Sequence, residues 1–114
     1  LIYLGRLEKE YEYAGHSSLK STLTEGDILR VGQLTGKYKG TLVEIESHRA
    51  FVVAASVQSV DGISLSQPIS DDWDVIGDKV RQVKEWYPAV IRYLYERYVE
   101  LEATAIDVSN ALKK

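Results

Sequence analysis

The 114-residue chain contains no cysteine, no methionine, a single phenylalanine and only two prolines. Without cysteine there is no disulfide framework, no thiolate metal site and no cysteine nucleophile. No apolar run approaches the roughly 18 residues needed to cross a bilayer, and no basic-then-apolar leader opens the sequence. A cytoplasmic protein without a membrane segment is the expectation. A Gly-rich phosphate loop, a nucleophile elbow and a paired-carboxylate motif are all missing from the sequence, so no catalytic residue and no cofactor are assigned. Positive charge is in short supply as well. Lys and Arg number 14 against 17 Asp and Glu, a net charge of −3, which disfavours nucleic acid as a default partner.

What is present is an ordinary globular composition, 45% hydrophobic and 27% charged, enough to bury one core. Up to about residue 76 the pattern is short and mostly period two. Leu7, Lys9, Tyr11 and Tyr13 alternate with Glu8, Glu10 and Glu12, which sets three carboxylates on one strand face. That strip either repels edge pairing or imitates a phosphate backbone toward a basic partner. A turn is expected at Gly15-His16-Ser17-Ser18. Strands are expected at Ile28–Val31, Thr41–Glu46, Ala50–Ser56 and Ile63–Leu65, each short, rich in β-branched residues and bounded by turn signals. Asp61-Gly62, between Val57–Val60 and Ile63–Leu65, is the best hairpin signal in the chain. The expected fold class is therefore α+β. A small antiparallel β-barrel or sandwich over residues 1–78 precedes a helical segment over 79–114.

In that second segment the period changes. Tyr87, Ile91, Leu94, Tyr98, Leu101, Ala105, Val108 and Leu112 follow one another in steps of 4, 3, 4, 3, 4, 3 and 4, an unbroken heptad seam. Pro88 suits the first turn, so a long amphipathic helix is predicted over about residues 88–113. A shorter turn or helix before it holds Val80, Val83 and Trp86, and Arg92 and Glu96 are spaced for an i,i+4 pair. From Tyr87 to Leu112 the helix is roughly 38 Å long, whereas a body of about 80 residues is only about 30 Å across. Part of the seam is thus expected to run past its own barrel. Val99 and Ile106 form a second apolar stripe off the seam, and a helix apolar on two sides has two packing partners. Tyr87, Ile91, Leu94, Tyr98, Leu101, Ala105 and Val108 are the candidate partner or oligomer interface. The eight Tyr and two Trp beside one Phe fit that reading, because tyrosine is favoured where one end of a ring stays wet.

Gly26-Asp27-Ile28-Leu29-Arg30-Val31, followed by Gly36-Lys37-Tyr38-Lys39-Gly40 and Leu42-Val43-Glu44-Ile45, resembles the KOW pattern of SH3-like barrels in transcription and ribosomal proteins. The resemblance covers about 20 residues. It implies an SH3-like barrel and a basic loop, Lys37, Tyr38 and Lys39, that holds a phosphate and stacks a base of RNA. The charge of residues 1–78, with 7 basic against 12 acidic side chains for a net −5, works against that use. A second stretch pair, Glu25-Gly26-Asp27-Ile28-Leu29 and Trp73-Asp74-Val75-Ile76-Gly77-Asp78, is similar to phage and prophage YopX-type proteins. That resemblance implies a mobile-element origin and a β-rich body with no known chemistry.

Other candidates for chemistry have structural readings. His16 and His48 lack metal-ligand spacing and are read as surface histidines. Asp71, Asp72 and Asp74 lack the Gly and distal Glu of a calcium loop and are expected to cap the following helix, so no metal site is assigned. The function these observations lead to is a non-catalytic protein–protein interaction module. It is expected to oligomerise or dock through its C-terminal helix, as a phage-encoded binder of a host protein if the second resemblance holds. The alternative is a KOW-like module that contacts RNA or the transcription or translation machinery.

Overall fold

The computed structural model describes residues 6–112. Strand β1, Glu8–Tyr13, pairs antiparallel with β2, His16–Ser21, in a register from Glu8 opposite Ser21 to Tyr13 opposite His16. The two residues between them, Ala14 at φ 54° and Gly15 at φ 83°, both have positive φ. A two-residue turn of this kind matches the twist of the strands it joins. The turn therefore lies one residue earlier than the expected Gly15–Ser18 stretch, and His16, Ser17 and Ser18 belong to β2.

Two helices then stand where barrel strands were expected. Helix α1 spans Glu25–Gly36 and absorbs Ile28–Val31. Its start is a capping box: the Asp27 amide donates to Thr24 Oγ1 at 3.3 Å, and the Thr24 amide donates to Asp27 Oδ2 at 3.0 Å. Two amides that a helix start leaves without partners are satisfied in this way, and the Gly26-Asp27 pair opens a helix instead of a strand. Helix α2, Glu44–Ser56, takes in Ala50–Ser56 and the end of the Thr41–Glu46 stretch. From Phe51 to Ser56 every residue is buried. α2 packs against α1 and two later helices, α3 (Val75–Val83) and α4 (Pro88–Leu112). A helix enclosed on several sides is apolar all round, so it loses the 3.6-residue period that marks an exposed helix.

α2 passes directly into β3, Val57–Val60, which pairs antiparallel with β2 across a register shift at Leu19 and Lys20. Asp61 and Gly62 then turn the chain at φ 52° and 82°, and β4, Ile63–Ser64, completes the sheet. The hairpin at Asp61-Gly62 thus forms where the sequence predicts it. Among the described residues the order is β1-β2-β3-β4, an open four-stranded antiparallel sheet.

Asp74 accepts the Gly77 amide at 3.1 Å and caps α3, the role expected for the aspartate cluster. α4 starts at Pro88 as predicted and runs for 25 residues; Lys113, the last residue of the expected helix, lies outside the described residues. Its first half packs on α2 and on the β1–β2 hairpin. There the Tyr93 ring stacks on Tyr13 at 4.4 Å, and its hydroxyl donates to the Glu12 carbonyl at 3.1 Å. Arg92 reaches Glu46 of α2 at 3.5 Å in place of the expected bond to Glu96.

If Thr24 nucleates α1 in this way, Thr24→Ala costs about 1 kcal/mol of stability in urea denaturation and Thr24→Ser recovers most of it. Unchanged stability in Thr24→Ala would contradict the capping box.

Candidate functional site

Three regions combine exposure or chemistry in ways the fold alone does not require. The first is the distal half of α4. Of the seam residues, Ile91, Leu94 and Leu101 are buried in the protein's own core, and Tyr98 and Ala105 are half-buried. Tyr87 at the start of the seam is 81% exposed, and Val108 near its end also faces solvent. The side chain of Leu112 lies outside the described residues. Leu101 is the last buried residue described, yet the helix continues to Leu112. Val99 and Ile106, on the second stripe, are 48% and 58% exposed. Charges along this half are acidic: Glu100, Glu102 and Asp107. Glu102 is tied inward and accepts the Leu23 amide at 3.3 Å, while Glu100 pairs with Arg97 at 2.7 Å.

The second region is a cleft of about 590 Å³ between the tips of the two hairpins and the corner where α3 meets α4. Its walls are mainly apolar and aromatic, with Tyr13, Val60, Trp86, Tyr87, Val90 and Leu94 prominent. At its mouth the His16 Nδ1 lies 2.6 Å from Asp61 Oδ2, and the Ser17 amide donates to Asp61 Oδ1 at 2.9 Å. The Ser17 amide and the imidazole hold the Asp61 carboxyl below the usual carboxylate range, so it is ionised at neutral pH. His16 and Asp61 stand 45 positions apart and meet because β2 pairs with β3. No local spacing carries that information. The only sequence signals were the two turns that end up side by side.

The third region is a buried basic cluster. Lys20 of β2 is fully buried and donates to Ser56 Oγ at 2.9 Å. Lys79 of α3, nearly as buried, donates to Gln58 Oε1 at 3.2 Å and to the Ala55 carbonyl at 3.4 Å. Both ammonium groups thus gather at the C-terminal end of α2, where the helix dipole presents partial negative charge. Close by, Arg6 binds Asp27 at 2.5 Å. Burial, and then the neighbouring Lys79, lower the Lys20 pKa from 10.5 to about 7. Burial, and then Arg6, lower that of Lys79 to about 8. Lysine is ordinarily a solvated residue, so nothing in the sequence marks this cluster.

The basic loop of the sequence reading falls at the end of α1 and in the link to α2. Lys37 and Lys39 are exposed there, whereas Tyr38 is half-buried with its ring 5.7 Å from Phe51. Leu42, Val43 and Ile45 follow on the same exposed segment. His48 lies beside Thr35 and Tyr95, away from His16. Among the described residues no group of three or more His, Asp or Glu is placed to hold a metal ion, and no helix is long and apolar enough to cross a membrane.

The lysine cluster makes stability depend on pH with a definite sign. Between the lowered folded values and the ordinary 10.5, the unfolded chain holds protons that the folded chain has released. Stability therefore rises with pH across that window and is lowest at and below about pH 7. Urea denaturation from about pH 7 to 9.5, below the ordinary tyrosine range, will show this rise. Lys20→Met will flatten it and add about 1–3 kcal/mol at neutral pH. A flat or falling wild-type profile would contradict the burial of both ammonium groups.

Set against family models, curated proteins and solved structures, the chain matches none of them.

Proposed function

We propose that the chain is a non-catalytic protein–protein interaction module that oligomerises or docks through the distal half of α4. The observation that carries this reading is the division of one helix. α4 is anchored in the core as far as Leu101, then runs on to Leu112 with Ile106 and Val108 exposed, while Val99 is exposed on the outer side of the anchored part. Folding alone gives no reason for that extension, because an isolated helical end is marginal in water and a packing partner stabilises it. Apolar residues on two sides of a helix are what an interface requires. The resemblance to phage-encoded proteins, if it reflects descent, makes a host protein the natural partner.

A second reading rests on the exposed Lys37 and Lys39, which leave a KOW-like contact with RNA open. The Tyr38 ring, turned toward Phe51, supports that use less well than a free ring would. Mixed RNA or DNA at about 50 mM salt separates the two readings. Binding that is lost in the Lys37→Glu, Lys39→Glu variant favours the nucleic-acid reading, and no binding removes it.

The interaction reading has its own test in sedimentation and thermal melts. Ile106→Glu with Val108→Glu is expected to dissociate the assembly while leaving the melt nearly unchanged. Leu101→Glu is expected to unfold the protein, since a carboxylate buried without a partner costs several kcal/mol, roughly 3 or more. A wild-type monomer at high concentration, with no partner retained through α4, would overturn the reading.

A further inference from the structure

The cleft at the hairpin tips differs from the α4 surface in its chemistry. None of its lining residues is Lys or Arg, while Asp61 and Glu85 both line it. Asp61 is held ionised by the Ser17 amide and His16. Three aromatic side chains, Tyr13, Trp86 and Tyr87, line the same space, and Tyr87 is largely exposed. Carboxylates beside aromatic faces are the surroundings in which an organic cation is bound, by charge and by the ring quadrupole together. The same chemistry is in use behind the Tyr13 wall, outside the cleft lining. The Arg97 guanidinium lies 4.9 Å from the Tyr93 ring, which stacks at 4.4 Å on Tyr13.

The shape favours a peptide over a small free cation. Ile63 and Ser64 of β4 line the cleft, and β4 is the last strand of the sheet among the described residues. The edge of a sheet is the usual place for an extended segment to add. Ile63 is 69% exposed there and provides an apolar step from edge to cleft.

We propose that this cleft docks an extended basic segment of a partner protein, whose arginine side chain lies against Trp86 and Tyr87 and meets Asp61 and Glu85 while its aliphatic neighbours cover Ile63. Arginine suits the site better than lysine because its planar guanidinium stacks on rings and bonds carboxylates with two donors. The proposal rests on the interaction reading and names the chemistry of the partner.

The test follows Trp86 fluorescence in a Trp73→Phe background, which leaves Trp86 as the sole tryptophan. The probes are the acetylated, amidated pentapeptide Leu-Arg-Leu-Arg-Leu, its glutamate counterpart Leu-Glu-Leu-Glu-Leu, and tetramethylammonium alone. The arginine peptide is expected to give a saturable change. Its affinity should fall about tenfold in Asp61→Asn with Glu85→Gln, and should weaken as salt rises from about 50 to about 500 mM. Asparagine tolerates the positive φ of position 61, and circular dichroism checks that the double variant stays folded.

Equal binding of the glutamate peptide, or no saturable change with the arginine peptide, would overturn the proposal. Saturation by tetramethylammonium alone would overturn it in favour of a small-cation site. A Trp86 signal that changes with protein concentration, without peptide, would overturn it in favour of a second copy. The α4 variants keep the two ideas apart. An assembly that dissociates on Ile106→Glu with Val108→Glu, while the arginine peptide fails to bind, sinks the cleft proposal alone. Failure of both removes the interaction reading with it.

Discussion

The burial of α2 from Phe51 to Ser56 is the constraint on which the rest of the molecule depends. Val53 and Ala54 have no solvent exposure at all, so a second element must cover every side of this segment. α1, α3 and the first half of α4 supply those covers. Because α2 runs into β3 without a linker, the direction of the helix also fixes where the sheet begins. β2 pairs on β3, β1 pairs on β2, and the hairpin tips arrive beside the α3–α4 corner. The cleft follows from that placement. So does the buried lysine pair, which collects at the carbonyl end of the same helix.

Where a pattern was periodic, the sequence was legible. The seam from Tyr87 onward repeats on one face of a helix, and α4 formed where that repeat lies. Asp61-Gly62 was legible because only a few residues tolerate two successive positive φ angles, and glycine is the most tolerant. α2 was not. A helix enclosed on all sides and a buried strand both read as a short apolar run, and the β-branched Val52 and Val53 tilt that ambiguity toward strand. Thr24 was the signal that α1 is a helix, but the Gly-Asp pair beside it drew the reading toward a strand opening. The KOW resemblance leaned on the same residues, and with them in α1 and α2 the sheet of the described residues has four strands and stays open.

The candidate sites divide along the same line. Buried seam residues such as Ile91 and Leu94 were recognised as apolar, but the spacing alone gave no means of separating those that meet the protein's own core from those that face outward. The separation is one of burial, which ends on the seam at Leu101, well before α4 itself ends. His16 and Asp61 lay beyond sequence reasoning because their meeting depends on the register in which β2 pairs with β3. Lys20 and Lys79 were hidden for a related reason. A charge is buried only when the surrounding fold supplies acceptors, here a helix end with Ser56 and Gln58, and no periodicity announces such a supply.

The central claim is that one helix has two halves with different roles, the first locked to α2 and the second held out for a partner. Native-state hydrogen exchange on dilute protein tests it most directly, because it resolves stability along the chain. The account predicts that amides of residues 52–57 and 92–98 exchange only through global unfolding, while those of residues 106–112 exchange through local fraying. It further predicts that the distal amides gain protection as the protein is concentrated or its partner is added. Protection that runs unbroken to the end of α4 in a dilute monomer, or early exchange across α2, would contradict it.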